Sequence, residues 1–332
     1  MAIFSVEDLA QHAGVSTQTL EELAESLPSG AGTLYSRLTF PKKRGGFREV
    51  VSPRKTLDVV TKNLHRSFLD VFRYRPPEHV HGFVKGRSTI SNASEHLGRT
   101  CVLRVDLKSF FPSIDSTRLK AAFLERVYDE KAAELCVRVV TISDKLPVGV
   151  STSPFLSNLV FRATDYALLD YARAEGLGLT RYVDDLSFSG EVEDRHLSDI
   201  TRILEDLGWR VNTRKTAFMR RGGPQYVTGL YVGAPDRPRI PRKTKRRMRW
   251  ILHVISRFGY ETYMTEFGGL EAGMIPQRLL GWSCYVASVE PDVGFPLFRA
   301  FREILPESYT PPSYYAGEIA GIRIIHELDD LR

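Results

Sequence analysis

The chain of 332 residues has few cysteines and lacks a long apolar run. Its three cysteines, Cys101, Cys136 and Cys284, are widely spaced, with no CxxC pair and no histidine at ligand spacing, which argues against a zinc site. No apolar stretch approaches the roughly 20 residues that a membrane helix needs. The start has no basic region followed by an apolar stretch, so no signal peptide is expected. We therefore expect a reduced, cytoplasmic protein.

Acidic residues are missing from one strongly basic segment near the carboxyl end. The whole chain carries a net charge of +6, but residues 237–249 (RPRIPRKTKRRMR) contain eight basic residues and no acid. The remainder of the chain therefore sums to −2. This concentration predicts a surface that meets a polyanion, although a solvated helix face rich in lysine and arginine remains an alternative.

The hydrophobic pattern mixes strands and helices up to about residue 235 and is mainly helical afterwards. Residues 40–53 (FPKKRGGFREVVSP) predict a hairpin with glycines at its turn. A strand ending at Asp106 is followed by a helix capped near Asp115 or Ser116. A strand pair is expected between residues 217–220 and 226–232. This order predicts an α+β core with an appended helical domain.

The first 30 residues resemble a helix-turn-helix, in the pattern LAQHAGVSTQTL at residues 9–20. The helix that would enter a DNA groove carries Glu21, Glu22 and Glu25, which DNA phosphates would repel. Pro28 is expected to end this helix. We therefore favour a packing role, and a DNA-binding regulator is the less favoured hypothesis.

Two adjacent aspartates, Asp184 and Asp185, lie between β-forming runs in TRYVDDLSFSG, residues 180–190. A bare Asp-Asp pair most often marks a turn. Here, however, the strand ending in Asp106 precedes it by 78 positions. Carboxylates from two strand ends form an oxygen-only site suited to Mg²⁺, and two such ions about 4 Å apart can clamp both oxygens of a phosphoryl transfer. The metal charge would then offset the repulsion between the acids.

Five motifs in order resemble those of reverse transcriptases, over roughly residues 34–260. They are PKKRGGFREV (41–50), LRVDLKSFFPSID (103–115), LPVGVSTSPFLSN (146–158), YVDD (182–185) and GWRVNTRKT (208–216). The resemblance implies an α+β right-hand polymerase fold with fingers, a palm of antiparallel sheet plus helices, and a helical thumb. It also implies a helical segment at 1–33, fingers and palm at 34–235, and a nucleic-acid-binding thumb at 236–332.

The same resemblance implies an RNA-directed DNA polymerase that uses two Mg²⁺ ions, with Mn²⁺ as a substitute. It places the ions at Asp106, Leu107, Asp184 and Asp185, and it gives Lys215 the role of protonating the leaving pyrophosphate. The residues implied to bind the incoming dNTP are Lys42, Lys43, Arg48, Ser109, Phe110, Phe111 and Gly149. Among these, Phe111 would lie under the sugar and exclude a 2′-hydroxyl. The chain departs from many family members at Val148, where they carry glutamine.

Two short signatures resemble those of bacterial retron reverse transcriptases. They are NAxxH, from Asn92 to His96, and VTG, at 227–229. Because Asn92 and His96 are four positions apart, a helix would present both on one face, where they would contact RNA. The full set of expected RNA-binding residues is Asn92, His96, Val227, Thr228, Gly229, Arg242, Lys243, Lys245, Arg246, Arg247 and Arg249.

The retron resemblance also implies partners and a role. The partners would be a structured noncoding RNA of the msr-msd type, its DNA product, dNTPs and an effector protein, without a membrane. DNA synthesis would start from an RNA 2′-hydroxyl, give branched msDNA and serve anti-phage defence. Other bacterial reverse transcriptases with another priming mode, of the group II intron, diversity-generating or abortive-infection type, remain alternatives.

Overall fold

The architecture mixes helices with three small sheets. A computed structural model describes residues 3–41 and 47–306. The helices of this part of the chain are α1 (Val6–Ala13), α2 (Thr17–Leu34), α3 (Lys55–Phe72), α4 (Thr89–Ser94), α5 (Ser116–Phe123), α6 (Glu130–Val140), α7 (Ser153–Ala174), α8 (Asp194–Asp206), α9 (Arg242–Phe258), α10 (Tyr260–Glu266), α11 (Pro276–Val289) and α12 (Pro291–Ile304). The strands are β1 (Tyr35–Pro41), β2 (Phe47–Pro53), β3 (Cys101–Asp106), β4 (Gly178–Tyr182), β5 (Asp185–Gly190), β6 (Ala217–Arg220), β7 (Tyr226–Val227) and β8 (Leu230–Tyr231).

The largest sheet has four strands in the order β4-β5-β3-β6. Strand β3, which ends at Asp106, therefore lies between β5 and β6. Strands β1 and β2 form a separate antiparallel hairpin, with Phe40 opposite Arg48. The predicted hairpin at residues 40–53 is confirmed for its two strands, while its turn at 42–46 lies outside the described residues.

The predicted pairing of residues 217–220 with 226–232 is wrong. Strand β6 joins β3 in the four-stranded sheet, and β7 pairs with β8. The turn between β7 and β8 consists of Thr228 and Gly229, whose φ values are 47° and 82°. Two central residues with positive φ match the twist of flanking strands in a tight hairpin, so the chain folds back at once.

The chain forms two units, each with its own core. The first comprises Met1–Phe83, Leu103–Phe188 and Val192–Ala217, and the second comprises Val84–Val102, Ser189–Glu191 and Phe218–Arg332. In the first unit, Phe110, Phe161 and Trp209 pack with ring centroids 4.7–5.6 Å apart. The indole Nε1 of Trp209 donates a hydrogen bond to Thr164 Oγ1 at 2.8 Å, which satisfies its one buried donor.

The amino-terminal helices pack within the first unit. Helix α1 begins at a cap in which Ser5 Oγ accepts from the Asp8 amide at 3.1 Å. Helix α2 buries Leu20, and Glu21 forms an ion pair with Lys131 of α6 at 2.6 Å. The expectation that Pro28 ends α2 is wrong, because the helix continues to Leu34 and therefore contains the proline in spite of its local cost.

In the second unit, buried side chains of α9, α11 and α12 form one apolar core that includes Met248, Ile251, Leu280 and Phe301. A buried carboxylate lies at its edge. Glu290 accepts hydrogen bonds from the Ile240 amide at 2.8 Å and from Lys245 Nζ at 2.9 and 3.0 Å.

All three cysteines have free thiols and are buried. Burial raises the pKa of the Cys284 thiol to about 11, which keeps this thiol protonated at neutral pH. Within residues 3–41 and 47–306, none of the helices combines the length and apolar character that crossing a bilayer requires.

Gly294 sets how closely α12 approaches α11. A Cβ atom at this position would lie 2.0 Å from the backbone nitrogen of Ala287 and 2.2 Å from its Cα. We expect Gly294→Ala to lower the free energy of unfolding by about 1–3 kcal/mol, the usual cost of overpacking a core. Urea denaturation followed by circular dichroism measures this change. The control is Arg299→Ala on the exposed side of α12, and equal midpoints for the two variants would contradict the predicted packing.

Candidate active site

Three aspartates lie at the neighbouring ends of β3 and β5. Asp106 is the last residue of β3, Asp184 lies in the turn before β5, and Asp185 is the first residue of β5. The backbone fixes this arrangement, because the Leu107 amide donates to the Asp184 carbonyl at 3.0 Å. The structure thus brings together the carboxylates that the sequence assigned to one site.

The carboxylates perturb one another. Partial removal from water raises the pKa of Asp184, and the negative charge of Asp106 raises it further. Burial raises the pKa of Asp185 to about 7, an effect that the neighbouring Arg104 opposes and Asp184 reinforces. Such shifts mark a cluster in which ionising all three groups is costly without added positive charge.

Two residues of the loop before β6 bind Asp106. Lys215 Nζ donates to both carboxylate oxygens, at 2.9 and 3.1 Å, and Asn212 Nδ2 donates to Oδ2 at 3.0 Å. The Asn212 amide also donates to the Asp106 carbonyl at 2.7 Å. Arg104 Nη2 donates to the Lys215 carbonyl at 3.1 Å, which anchors the lysine from β3. Lys215 therefore supplies the positive charge at Asp106.

The donor set suits a divalent cation by its chemistry. In the described part of the chain, no three His, Cys, Asp or Glu side chains are already arranged as a metal-binding group. However, Asp185 Oδ1 is buried without a hydrogen-bond partner among these residues, and carboxylate oxygens are the ligands that Mg²⁺ prefers. Asp106, Asp184 and Asp185 are the side chains that would hold such an ion. Leu107 can offer only its backbone carbonyl, because its side chain is apolar and buried.

Two of the predicted nucleotide-binding residues are accessible near this site. Arg48 is exposed on β2, and its charge lowers the pKa of Asp184. Phe111 is half-buried, with its ring 6.3 Å from that of Phe83 and 5.5 Å from that of Phe110. Lys42 and Lys43 lie outside the described residues.

Phe110 and Gly149, also predicted to bind the nucleotide, have packing and conformational roles. Phe110 is 3% exposed in the aromatic core, so its side chain is not available to a nucleotide. Gly149 has φ of 107°, and a Cβ there would lie 2.2 Å from the Val51 carbonyl oxygen. A glycine is therefore required where this loop meets β2. Ser109 is exposed, with φ of 52°, at the entry to a short 3₁₀ turn.

The structure does not present Asn92 and His96 to RNA. Their side chains are 1% and 0% exposed. His96 Nδ1 lies 2.7 Å from Ser189 Oγ, a hydrogen-bonding distance. Helix α4 ends at Ser94, so His96 lies in the turn after the helix. Both side chains are nevertheless buried, as is Ala93.

The VTG element forms the hairpin turn between β7 and β8. Val227 is 1% exposed, which removes its side chain from contact with RNA. Thr228 Oγ1 donates to the Thr89 carbonyl at 3.0 Å, and Gly229 supplies the second positive φ of the turn. These observations give the motif a structural role.

The basic segment is mostly exposed along α9. The exposed predicted residues are Arg242, Lys243, Arg246, Arg247 and Arg249. Lys245 differs from them, because its ammonium group is held by the buried Glu290 and its side chain is only 16% exposed. Its predicted contact with RNA phosphate is therefore replaced by an internal ion pair.

Sequence reasoning overlooked three residues that support the aspartates: Arg104, Asn212 and Arg181. Arg104 and Asn212 lie inside motifs that the sequence analysis quoted, but nothing in their spacing indicated a contact with Asp185 or Asp106. Arg181 was overlooked because it is a single basic residue in a β-forming run. All three act through contacts between separate elements of the first unit.

Residues 40–253 match the sequence model described as "Reverse transcriptase (RNA-dependent DNA polymerase)". The chain belongs to the reverse transcriptase family. The predicted α+β polymerase fold is thereby confirmed, with the β4-β5-β3-β6 sheet carrying the aspartates.

Several curated reverse transcriptases are similar over most of this chain. Retron Mx65 reverse transcriptase of Myxococcus xanthus is 32% identical over 80% of this chain and 66% of its own length. Retron Mx162 reverse transcriptase of the same organism is 33% identical over 75% of this chain and 58% of its own length. Retron Ec86 reverse transcriptase of Escherichia coli is 25% identical over 86% of this chain and 85% of its own length. The matched part of this chain thus spans two thirds or less of the two Myxococcus relatives.

Lys215 and a divalent ion would compete for Asp106. We expect the Mg²⁺ concentration that half-saturates Lys215→Met to be at least about fivefold lower than that of the wild type. A coupling free energy of about 1 kcal/mol between the lysine and the ion changes affinity by that factor. The measurement is the thermal unfolding midpoint as a function of Mg²⁺ concentration.

Lys62→Met is the matched control, because it removes a lysine that is also ion-paired, to Asp58 on α3 at 2.7 Å. Its half-saturation concentration should equal that of the wild type. An unchanged or higher half-saturation concentration for Lys215→Met would show that this lysine does not compete with the ion.

Proposed function

We propose that this chain is a retron-type reverse transcriptase, which copies a structured noncoding RNA into single-stranded DNA. The observation that supports this most directly is the cluster of Asp106, Asp184 and Asp185 at adjoining strand ends in a member of the reverse transcriptase family. The proposed priming group is a 2′-hydroxyl of the RNA, so the product would be branched msDNA. The similarity to three retron enzymes supports this choice.

In the proposed reaction, the three aspartates would hold two Mg²⁺ ions, for which Mn²⁺ could substitute. When bound, such ions stabilise the charge that develops on the attacking and leaving oxygens. Lys215 lies beside Asp106 and would donate a proton to the leaving pyrophosphate. Arg48 would bind the triphosphate through its forked donors. Phe111 would lie under the sugar and select deoxynucleotides by excluding a 2′-hydroxyl.

RNA recognition is assigned to the exposed basic residues of α9. Five cations on one helix, and no acid between residues 237 and 249, suit a phosphate backbone. Folded RNA is recognised largely by shape and by contacts with phosphates and 2′-hydroxyls. The proposed ligand is therefore a structured RNA of the msr-msd type, and the burial of Asn92 and His96 shifts direct contact away from the NAxxH element.

The wider role is proposed from the retron similarity. It includes a cytoplasmic location, an effector protein as partner and a function in anti-phage defence. A reverse transcriptase of the group II intron, diversity-generating or abortive-infection type is the alternative. That alternative would be favoured if no structured RNA were encoded beside the gene.

The proposed function can be tested at the aspartate cluster. Asp184→Asn should abolish DNA synthesis and leave RNA binding intact, because it removes a carboxylate ligand without changing the shape of the side chain. The gene would be expressed with its flanking DNA, and the nucleic acid that copurifies with the protein would be extracted, treated with RNase and compared for both proteins.

The matched control is Asp170→Asn, which makes the same charge change at an exposed position of α7. The expected result is a short single-stranded DNA that RNase shifts in mobility, present for the wild type and the control and absent for Asp184→Asn. Extension of an added primer on an RNA template without such a DNA would support the alternative reverse transcriptases. Activity of Asp184→Asn equal to the wild type would refute the metal assignment.

The proposed contact of α9 with RNA can be tested by removing its exposed charges. Replacing Arg246, Arg247 and Arg249 by glutamine should weaken RNA binding and reduce the steepness of its salt dependence, because fewer counterions are released from the RNA. Filter binding over a series of KCl concentrations measures both quantities. A control variant replaces the exposed Arg278, Arg299 and Arg302, so that the change in net charge is equal. Equal salt slopes for the two variants would show that the basic face of α9 does not bind RNA.

A further inference from the structure

A fully buried arginine lies three residues before Asp184. The side chain of Arg181 is 0% exposed, as is that of its partner Asp165 on α7. Its Nε and Nη2 donate to the two carboxylate oxygens at 2.6 Å each, a bidentate pairing. The guanidinium also lies 4.6 Å from the centre of the Phe161 ring. A buried ion pair is a costly way to fill a core, so its presence here calls for a role besides stability.

The remaining terminal nitrogen of Arg181 reaches the turn that carries Asp184. Nη1 donates to the Val183 carbonyl at 3.1 Å and to Asn158 Oδ1 at 3.1 Å. Val183 has φ of 61°, in the left-handed region that β-branched residues disfavour. Such a conformation persists only where surrounding contacts impose it. The guanidinium provides one such contact, and it links the turn to two residues of α7.

The segment between α3 and α4 supports the same turn from another direction. Asn158 Nδ2 donates to the Gly82 carbonyl at 3.0 Å, and the Arg181 carbonyl accepts from the His81 amide at 2.8 Å. A Cβ at Gly82 would lie 2.5 Å from the Val183 nitrogen. The turn is therefore enclosed between the Gly82 backbone and the Arg181 guanidinium.

We propose that Arg181, held by Asp165 and Asn158, is a positioning residue that fixes the Val183–Asp184 turn and so aims the aspartates at the metal ions. It acts through the backbone carbonyl of Val183 and does not touch a substrate. This role rests on the proposed polymerase function, but the affinity for Mn²⁺ that tests it can be measured without DNA synthesis.

The main test removes both charges of the buried pair together, in the double variant Arg181→Met with Asp165→Leu. This removes both members of the ion pair, and His79, whose Nε2 lies 3.4 Å from Asp165 Oδ1, remains in the core as an imidazole that can be neutral. The protein is therefore expected to fold, which circular dichroism checks. The hydrogen bond to Val183 is lost. We expect the dissociation constant for Mn²⁺, measured by electron paramagnetic resonance, to rise roughly 10- to 100-fold, the range for residues behind metal ligands. At saturating dNTP, kcat should fall similarly, with KM for dNTP nearly unchanged.

Thr164→Val is the matched control. It removes the acceptor for Trp209 Nε1, a buried hydrogen bond on the same helix and one residue from Asp165. It should lower the thermal midpoint and leave Mn²⁺ affinity unchanged. A purely structural role for Arg181 would make the two variants alike in Mn²⁺ affinity.

A rescue experiment separates positioning from folding. Adding Val183→Gly to the double variant should restore part of the Mn²⁺ affinity, because glycine adopts a positive φ without steric cost. If the double variant does not fold, Arg181→Lys takes its place, since lysine keeps the charge but has no fork to reach both Asp165 and Val183. Unchanged Mn²⁺ affinity in the folded variant, or no recovery with Val183→Gly, would overturn the proposal.

The two proposals fail in different ways. If the wild type does not extend a primer but Mn²⁺ affinity follows the expected pattern, the polymerase function is wrong and the positioning role stands. If extension depends on Mg²⁺ but Mn²⁺ affinity is the same in all variants, only the positioning role is wrong.

Discussion

Repulsion among Asp106, Asp184 and Asp185 is the constraint around which the first unit is built. Their approach follows from the pairing of β3 with β5 and is costly, as the raised pKa values of Asp184 and Asp185 indicate. The positive charges that offset it come from separate places: Arg104 from β3, Lys215 from the loop before β6 and Arg48 from β2. Because these charges sit on different elements, the site exists only when the unit is folded.

A second layer of buried polar groups lies behind this site on α7. Asp165 and Asn158 are charged or polar side chains on a helix whose neighbouring residues form an aromatic core with Trp209. Apolar residues in place of Arg181 and Asp165 could fill the same volume, but they could not donate a hydrogen bond to the Val183 carbonyl, as Arg181 does. Burial excludes competing water, so the Arg181 guanidinium donates to four protein acceptors, which are both Asp165 carboxylate oxygens, Asn158 Oδ1 and the Val183 carbonyl. The strained turn is thereby tied to buried side chains of α7.

The second unit divides its polar residues in another way. Lys245 and Glu290 form an ion pair at the edge of an apolar core, while the cations around Lys245 on α9 remain exposed. One helix therefore serves both packing and the proposed contact with RNA. The NAxxH and VTG signatures have structural roles, since the side chains of Asn92 and His96 are buried and VTG forms a tight turn. A signature motif can thus consist of residues that pack inside the protein.

The sequence by itself determined the features that depend on local pattern. These are the strand that ends at Asp106, the helix cap at Asp115, the β1–β2 hairpin, and the family, which five motifs in order revealed. Tertiary structure alone decided which side of α4 is buried, that β6 pairs with β3, and that Lys245 and Arg181 each find an acid far away in the chain. The physical reason is that helical spacing fixes which residues share a face but not whether that face meets solvent or core. Likewise, the sequence around an arginine in a strand looks the same whether its side chain is exposed or buried in an ion pair. The acid that pairs with Arg181 lies on another element, α7.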